Sequence, residues 1–212
     1  MNGDDFGLSN GVNRGMIDAH QTGILTSASM MVDAAASADA AALARDIRPL
    51  GVGLHVVVKP AAAYRSLPYE LERQLERFVA LTGRSPTHVD SHHDVHRQAT
   101  ARPAFLAFAE RHRLPLRGFC GLRHITRFYG QRGGETCLEQ VGAEVLVRIL
   151  ATELDDGFNE LCCHPGYVDP ELRSSYAVER QAELDALRDG RLRAVLRDQG
   201  IALATFRDLA QP

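Results

Sequence analysis

Residues 34–58 read AAASADAAALARDIRPLGVGLHVVV, and the fold can be read outward from this one stretch. Alanine loses no side-chain freedom in a helix, so Ala34–Arg45 is predicted helical. Pro49 cannot continue that helix, and the apolar run Gly51–Val58 has the length and β-branched content of a strand buried on both faces. Helix, proline stop and buried strand together make the repeating unit of a parallel α/β sheet.

The same alternation extends both ways. Val12, Met16, Ile17 and Ala19 predict an amphipathic helix over Asn10–Ile24, stopped near Gly23, with a strand at Leu25–Val32. Downstream come helix Pro68–Thr82, strand Thr87–Asp90, helix Pro103–His112 and a short strand at Leu114–Arg117. Helix Leu138–Leu154 then leads into strand Asn159–His164, a helix over Tyr176–Gln199 breaks near Gly190, and Ile201–Phe206 is the last expected strand. No GxGxxG follows a strand, so the expectation is an irregular or incomplete (β/α) barrel rather than a dinucleotide-binding sheet, forming a single domain over residues 1–212. Gly118–Thr136 reads as a long loop, and its arginines and aromatics (RFYGQRGGE) suit a binding role.

Composition excludes several functions. There are 24 Lys and Arg residues against 27 Asp and Glu, and the net charge of −3 leaves no basic stripe for nucleic acid. No apolar run reaches the length of a membrane span and no leader-like order opens the chain, so a cytoplasmic protein is expected; a homodimer is compatible with this surface. Cys120, Cys137, Cys162 and Cys163 form no CxxC pair, which suggests reduced thiols rather than a zinc knuckle or disulfide framework.

In parallel α/β architectures chemistry gathers at the C-terminal ends of strands, and Asp4, Asp5, His55, His92 and His164 all fall at predicted strand ends. One carboxylate and two imidazoles from three strand ends, Asp5, His55 and His92, would make a metal site with open positions. Plainer readings exist: NGDDFG (residues 2–7) suits a solvated turn, and His55 suits a core histidine bonded to a carbonyl. In SHHDVH (91–96) a helix would set His92 and His96 on one face, but no glutamate follows the first histidine as a zincin requires, so the segment reads as strand end and loop. His88, His92, His93 and His96 beside Asp90 and Asp94 point to a ligand, with the two aspartates available as acceptors behind ligating imidazoles. In LCCHPG alternation puts Cys162 and His164 on one face and Cys163 on the other; that spacing is too long to activate a thiolate, and His164 is better used as a general acid.

NGDDFGLSNGVNRGMIDAH, GILTSASMMV, GVGLHVVV, PTHVDSHHDVH, RFYGQRGGE and ELCCHPGYVD, in this order, resemble the successive motifs of YdjC-like carbohydrate deacetylases. The resemblance implies an irregular β/α barrel that removes acetyl groups from N-acetylated amino sugars with one divalent metal ion, zinc or magnesium, with manganese, cobalt or nickel as further options. It implies Asp5, His55 and His92 as ligands, Asp4 as base and His164 as acid. The residues themselves add His93, Asp94, His96 and Asp90 as supporting residues around these, and Arg117, Tyr129 and Arg132 as residues that line the substrate pocket. Two alternatives stay open: another metal-dependent ester or phosphoester hydrolase, and a non-catalytic sugar-binding protein. The chain departs from the family pattern at Asp94, where a third histidine is usual, and in the short KPAAAYRSLP segment after His55. Only Met1, Asn2 and Gly3 precede the aspartates, where an apolar strand of several residues is usual, so the expectation is either a start upstream of Met1 or a missing first strand, with Asp4 and Asp5 on a frayed terminus.

Overall fold

The computed structural model describes residues 1–58, 66–170 and 172–209. Six parallel strands form one curved sheet in the order β4-β3-β2-β1-β8-β5, an incomplete β/α barrel. They are β1 (Asn2–Phe6), β2 (Ser27–Met30), β3 (Gly51–Val56), β4 (Val89–Ser91), β5 (Arg123–Ile125) and β8 (Asn159–Cys163). A hairpin of β6 (Gln131–Arg132) and β7 (Glu135–Thr136) stands apart. Seven α-helices complete the described residues: α1 (Asn10–Thr22), α2 (Ser37–Asp46), α3 (Leu67–Thr82), α4 (Arg102–His112), α5 (Ala143–Thr152), α6 (Val178–Leu187) and α7 (Leu192–Asp198). Neighbouring helices pack as α4-α3-α2-α1-α6-α5, repeating the strand order on the outer face. Among the described residues, no helix is long and apolar enough to cross a membrane.

The expectation of a missing first strand is corrected. Asn2–Phe6 is a fully buried five-residue strand at the centre of the sheet, paired with β2 on one side and β8 on the other. Two ladders and the helix layer hold it, so Asp4 and Asp5 are not frayed. Other boundaries also move. Leu114–Arg117 forms no strand: Leu116 makes a single bridge to Val89, Pro115 has no N–H, and the Leu114 N–H is taken by the Ala109 carbonyl at the end of α4. The edge strand beyond β8 comes instead from within the expected loop, at β5. Ile201–Thr205 has no sheet partner and runs into a short turn at Phe206–Asp208, capped by Thr205 and Asp208. The expected helix from Leu138 opens as a separate turn, Leu138–Gln140, and becomes α5 only after Gly142. The KPAAAYRSLP expectation falls mostly on residues 59–65, outside the described residues.

Inside the barrel, small side chains leave room for a polar floor. Asn2 Nδ2 donates to Asp4 Oδ1 at 2.8 Å and to Ser29 Oγ at 2.9 Å, and Ser29 donates on to Asp90 Oδ2 at 2.6 Å. His88 lies 3.0 Å from Ser29 Oγ through Nε2 and 2.9 Å from Thr87 through Nδ1, and its ring stacks on Phe206 at 3.7 Å. Burial pushes its pKa down to about 3, so the ring is neutral at any working pH. Its packing dictates Gly53: a Cβ there would stand 2.3 Å from His88 Cε1.

Because both His88 nitrogens and its ring face are committed, the ring cannot yield. Gly53→Ala should therefore cost about 1–3 kcal/mol of stability, a fall in Tm of about 2–4 °C per kcal/mol for a domain of this size. Gly190→Ala, where a Cβ meets nothing within 4 Å, is the control and should leave Tm nearly unchanged. Equal melting curves for the two variants would show that the floor repacks freely.

Candidate metal and catalytic site

Above this floor, at the C-terminal ends of β1, β3, β4 and β8, lies a cavity of about 620 Å³ lined by Asp4, Asp5, His55, His92, Arg117, Cys162, His164 and Arg180 among others. Adjacent residues of a strand normally point to opposite faces. Asp4 and Asp5 both reach the cavity because the ladder to β2 slips between Gly3 and Phe6 and Asp5 takes a left-handed φ of 71°. A non-glycine residue in that region costs on the order of 1–3 kcal/mol, a cost the surrounding pairing must offset.

Asp5 Oδ1 lies 3.4 Å from His55 Nε2 and 3.2 Å from His92 Nδ1. That oxygen is buried and makes no hydrogen bond, so three donor atoms converge without satisfying one another. His55 is oriented from behind by Asp90, whose Oδ1 stands 2.6 Å from Nδ1, leaving Nε2 toward the cavity. Such a carboxylate-backed imidazole is the usual support of a metal ligand. Burial opposes charge on His55, but the charges of Asp90 and Asp4, then the nearby Asp5 carboxylate and the bond to Asp90, outweigh it and raise the pKa to about 10. The pocket thus draws positive charge to the point where the donors meet. The residues fit a divalent cation. The other Asp5 oxygen, Oδ2, accepts from Arg180 Nη2 at 2.6 Å, which reserves Oδ1 for the cavity.

Asp4 is held differently. Arg117 donates to both of its oxygens at 2.7 Å and also reaches Asp90 Oδ2 at 2.7 Å and Glu160 Oε1 at 2.8 Å. Burial alone would raise the Asp4 pKa, yet the Arg117 charge and then His55 bring it below the ordinary value, so Asp4 is a carboxylate. Glu160 goes the other way: burial wins over Arg117 and its pKa rises to about 7. His164 follows β8, its backbone N–H donating to Glu183. Burial lowers its pKa to about 4 against the pull of Asp5 and Asp4, so the resting imidazole is neutral.

Of the remaining expected residues, Asp90 lies behind His55 and Arg117 beside Asp4, as described. The His93 ring packs tilted against His92 at 3.7 Å and, like Asp94, lines the cavity; both take left-handed backbone, φ 55° and 53°, in the turn that follows β4. Tyr129 lines the cavity wall, stacked on Tyr176 at 4.6 Å and edge-on to His164 at 5.5 Å. His96, expected near the ligand or substrate, is turned away: its Nδ1 is 2.8 Å from Ser91 Oγ and its ring packs against Phe105 and Phe119, because the left-handed turn at His93 and Asp94 abolishes a shared face with His92. Arg132 lies in a neighbouring depression with Tyr129.

Sequence reasoning missed Arg180, Glu183, Tyr176 and Glu160. The first two, with Glu179, are fully or almost fully buried on α6. Their spacing, three and four apart on one helical face where apolar residues would be expected, is the signal that could have found them.

A sequence profile of the family described as YdjC-like protein matches residues 1–66 and 57–198. A chitooligosaccharide deacetylase of Serratia marcescens is 34% identical over 255 aligned positions, covering 99% of this chain and 98% of that one. Among solved structures, one from Enterococcus faecalis V583 superposes with a TM-score of 0.84 at 23% identity, covering 99% of this chain and 97% of that chain. A family 4 carbohydrate esterase from Streptomyces lividans in complex with acetate superposes at 0.61 with 14% identity, covering 96% and 90%, which shows a shared fold. The profile spans most of the chain and the Serratia relative aligns with nearly all of it, and on these grounds the chain belongs to the YdjC-like protein family.

Proposed function

We propose that this protein is a metal-dependent N-deacetylase acting on an N-acetylated amino sugar. The observation that carries the reading is the juxtaposition, in one cavity, of an unsatisfied Asp5, His55 and His92 donor set with a carboxylate, Asp4, that Arg117 keeps ionised. The deacetylase relative from Serratia supports the choice of an acetamido substrate.

A divalent ion bound by Asp5, His55 and His92 would supply Lewis acidity, acidifying a water and polarising the acetyl carbonyl. Two imidazoles with one carboxylate suit zinc, cobalt, nickel or manganese better than magnesium. Asp4 takes the proton from the attacking water; its fixed position on Arg117 and Asn2 removes the entropy of searching for that geometry. The sugar nitrogen leaves only when protonated, and His164 is the group placed to deliver that proton. Because His164 is neutral at rest, it must gain its proton during the reaction. A ring nitrogen of His164 and an oxygen of Asp4 lie within 4.8 Å of each other, so the proton accepted by Asp4 has a short route to it. Negative charge developing on the acetyl oxygen favours the imidazolium at that moment. Tyr129, half exposed above Tyr176, offers an aromatic face to the apolar side of a sugar ring.

Asp4→Asn should lower acetate release from N-acetylglucosamine oligomers by about a hundred- to ten-thousand-fold, while metal content stays as in the parent chain and Tm falls because Arg117 loses one of its buried charged partners; the assay is therefore run well below the variant's Tm. Retained activity would remove Asp4 from the role of base. Asp5→Asn should instead lose the metal itself, read by metal analysis after dialysis. The neutral resting state of His164 gives a second expectation, with the sign set by its lowered pKa of about 4. Between pH 6 and 8 the free enzyme loses no essential proton from His164, so kcat/KM should not decline across that range on its account. A fall centred near the ordinary histidine pKa of about 6.5, abolished in His164→Ala at its residual rate, would mean that His164 starts protonated.

A further inference from the structure

A second group of donors occupies the same cavity without a part in the reaction just described. Alternation along β8 turns Cys163 away, its Sγ donating to the Asn2 carbonyl at 3.2 Å, and turns Cys162 inward among the cavity residues. The Cys162 thiol donates to Asp4 Oδ2 at 3.4 Å. That sulfur, an Asp4 oxygen and a His164 ring nitrogen all lie within 4.8 Å of one another. His164 Nδ1 is buried and has no hydrogen-bond partner. In tetrahedral coordination, with bonds of about 2.0–2.3 Å, neighbouring donors stand roughly 3.3–3.8 Å apart. The sulfur and oxygen are already at that separation, and the imidazole needs a shift of no more than about 1 Å.

We propose that Asp4, Cys162 and His164 form a second cation site, selective for thiophilic ions such as zinc in excess or cadmium, and that filling it inhibits the enzyme. Thiolate and imidazole ligands prefer these ions to magnesium, calcium or manganese, so the site discriminates by ligand softness. Binding forms bonds from sulfur, nitrogen and oxygen to the ion and sends the Cys162 proton to solvent, with nothing oxidised or reduced. Burial, followed by the charge of Asp4, holds that thiol well above its ordinary pKa, so it waits protonated until an ion arrives. A bound ion ties up Asp4 and His164 together. The inhibitory consequence rests on the roles proposed for those two residues; the site itself does not.

The test uses the full chain carrying one equivalent of zinc, titrated with cadmium and followed by the ultraviolet thiolate-to-cadmium charge-transfer absorption. The expected result is one saturable band that persists in Cys120→Ser and Cys137→Ser and vanishes in Cys162→Ser. Should Cys162→Ser fold poorly by thermal melting, Cys162→Met fills the same wall without an ionisable thiol and should also lack the band. In the deacetylation assay, zinc beyond the first equivalent should inhibit the parent chain, and Cys162→Ser should need about tenfold more zinc or greater, since even indirect supports of a metal are worth about 10–100-fold. A band without any deacetylation would sustain the site and remove the functional reading. A band that survives in Cys162→Ser and Cys162→Met, or no thiolate band at saturating cadmium, overturns the proposal.

Discussion

The ion cluster around Arg117 is the constraint on which the rest of the molecule depends. A single buried guanidinium bonds Asp4 on β1 and Glu160 on β8, which are paired strands, and also Asp90 on β4, which β2 and β3 separate from β1 in the sheet. Burying such charges is favourable only when each is paired and oriented, and loss of one partner strands the others. Arg117 itself comes from a segment with only one bridge to β4, so the cluster does what a continuous ladder would do elsewhere: it closes that side of the barrel interior. The same contacts set the chemistry. Through Asp4 they hold a carboxylate ionised, and through Asp90 they govern which nitrogen of His55 faces the cavity.

Much of the architecture was legible in the sequence because α/β chains announce themselves by period. The alanine-rich α2, the Gly51–Val58 run and the break near Gly190 are local signals with local causes. Strand β1 was harder to read. Its residues, Asn-Gly-Asp-Asp-Phe, have poor intrinsic strand propensity, and only its two flanking ladders make it extended. The edge strand β5 was invisible for the same reason: three residues in a glycine-punctuated stretch, recruited by β8.

Site residues divide along similar lines. Aspartates and histidines at strand ends stand out in sequence because their chemistry is unusual in those places. Arg180 and Glu183 do not, since charged residues on a helix are ordinarily solvated, and only the packing of α6 against α1 and α5 puts them inside. Arg117 is the sharpest case. Its sequence context suggests the end of a short strand and a substrate-contacting side chain, not a guanidinium that is 1% exposed and shared by three carboxylates.

The central position of β1 also bears on how the chain assembles during synthesis. Strands β1 to β4 and the three convergent donors Asp5, His55 and His92 are all present once residue 92 has been made, whereas β8, which covers the other edge of β1, begins at Asn159. Pairings of such long sequence separation are slow to form. Until β8 arrives, the emerging chain exposes one side of its middle strand together with an incomplete charge cluster, lacking Glu160 against Arg117. An unpaired strand edge invites other chains. Quality control in the cell therefore has its longest opportunity to act on this protein between the emergence of β4 and that of β8.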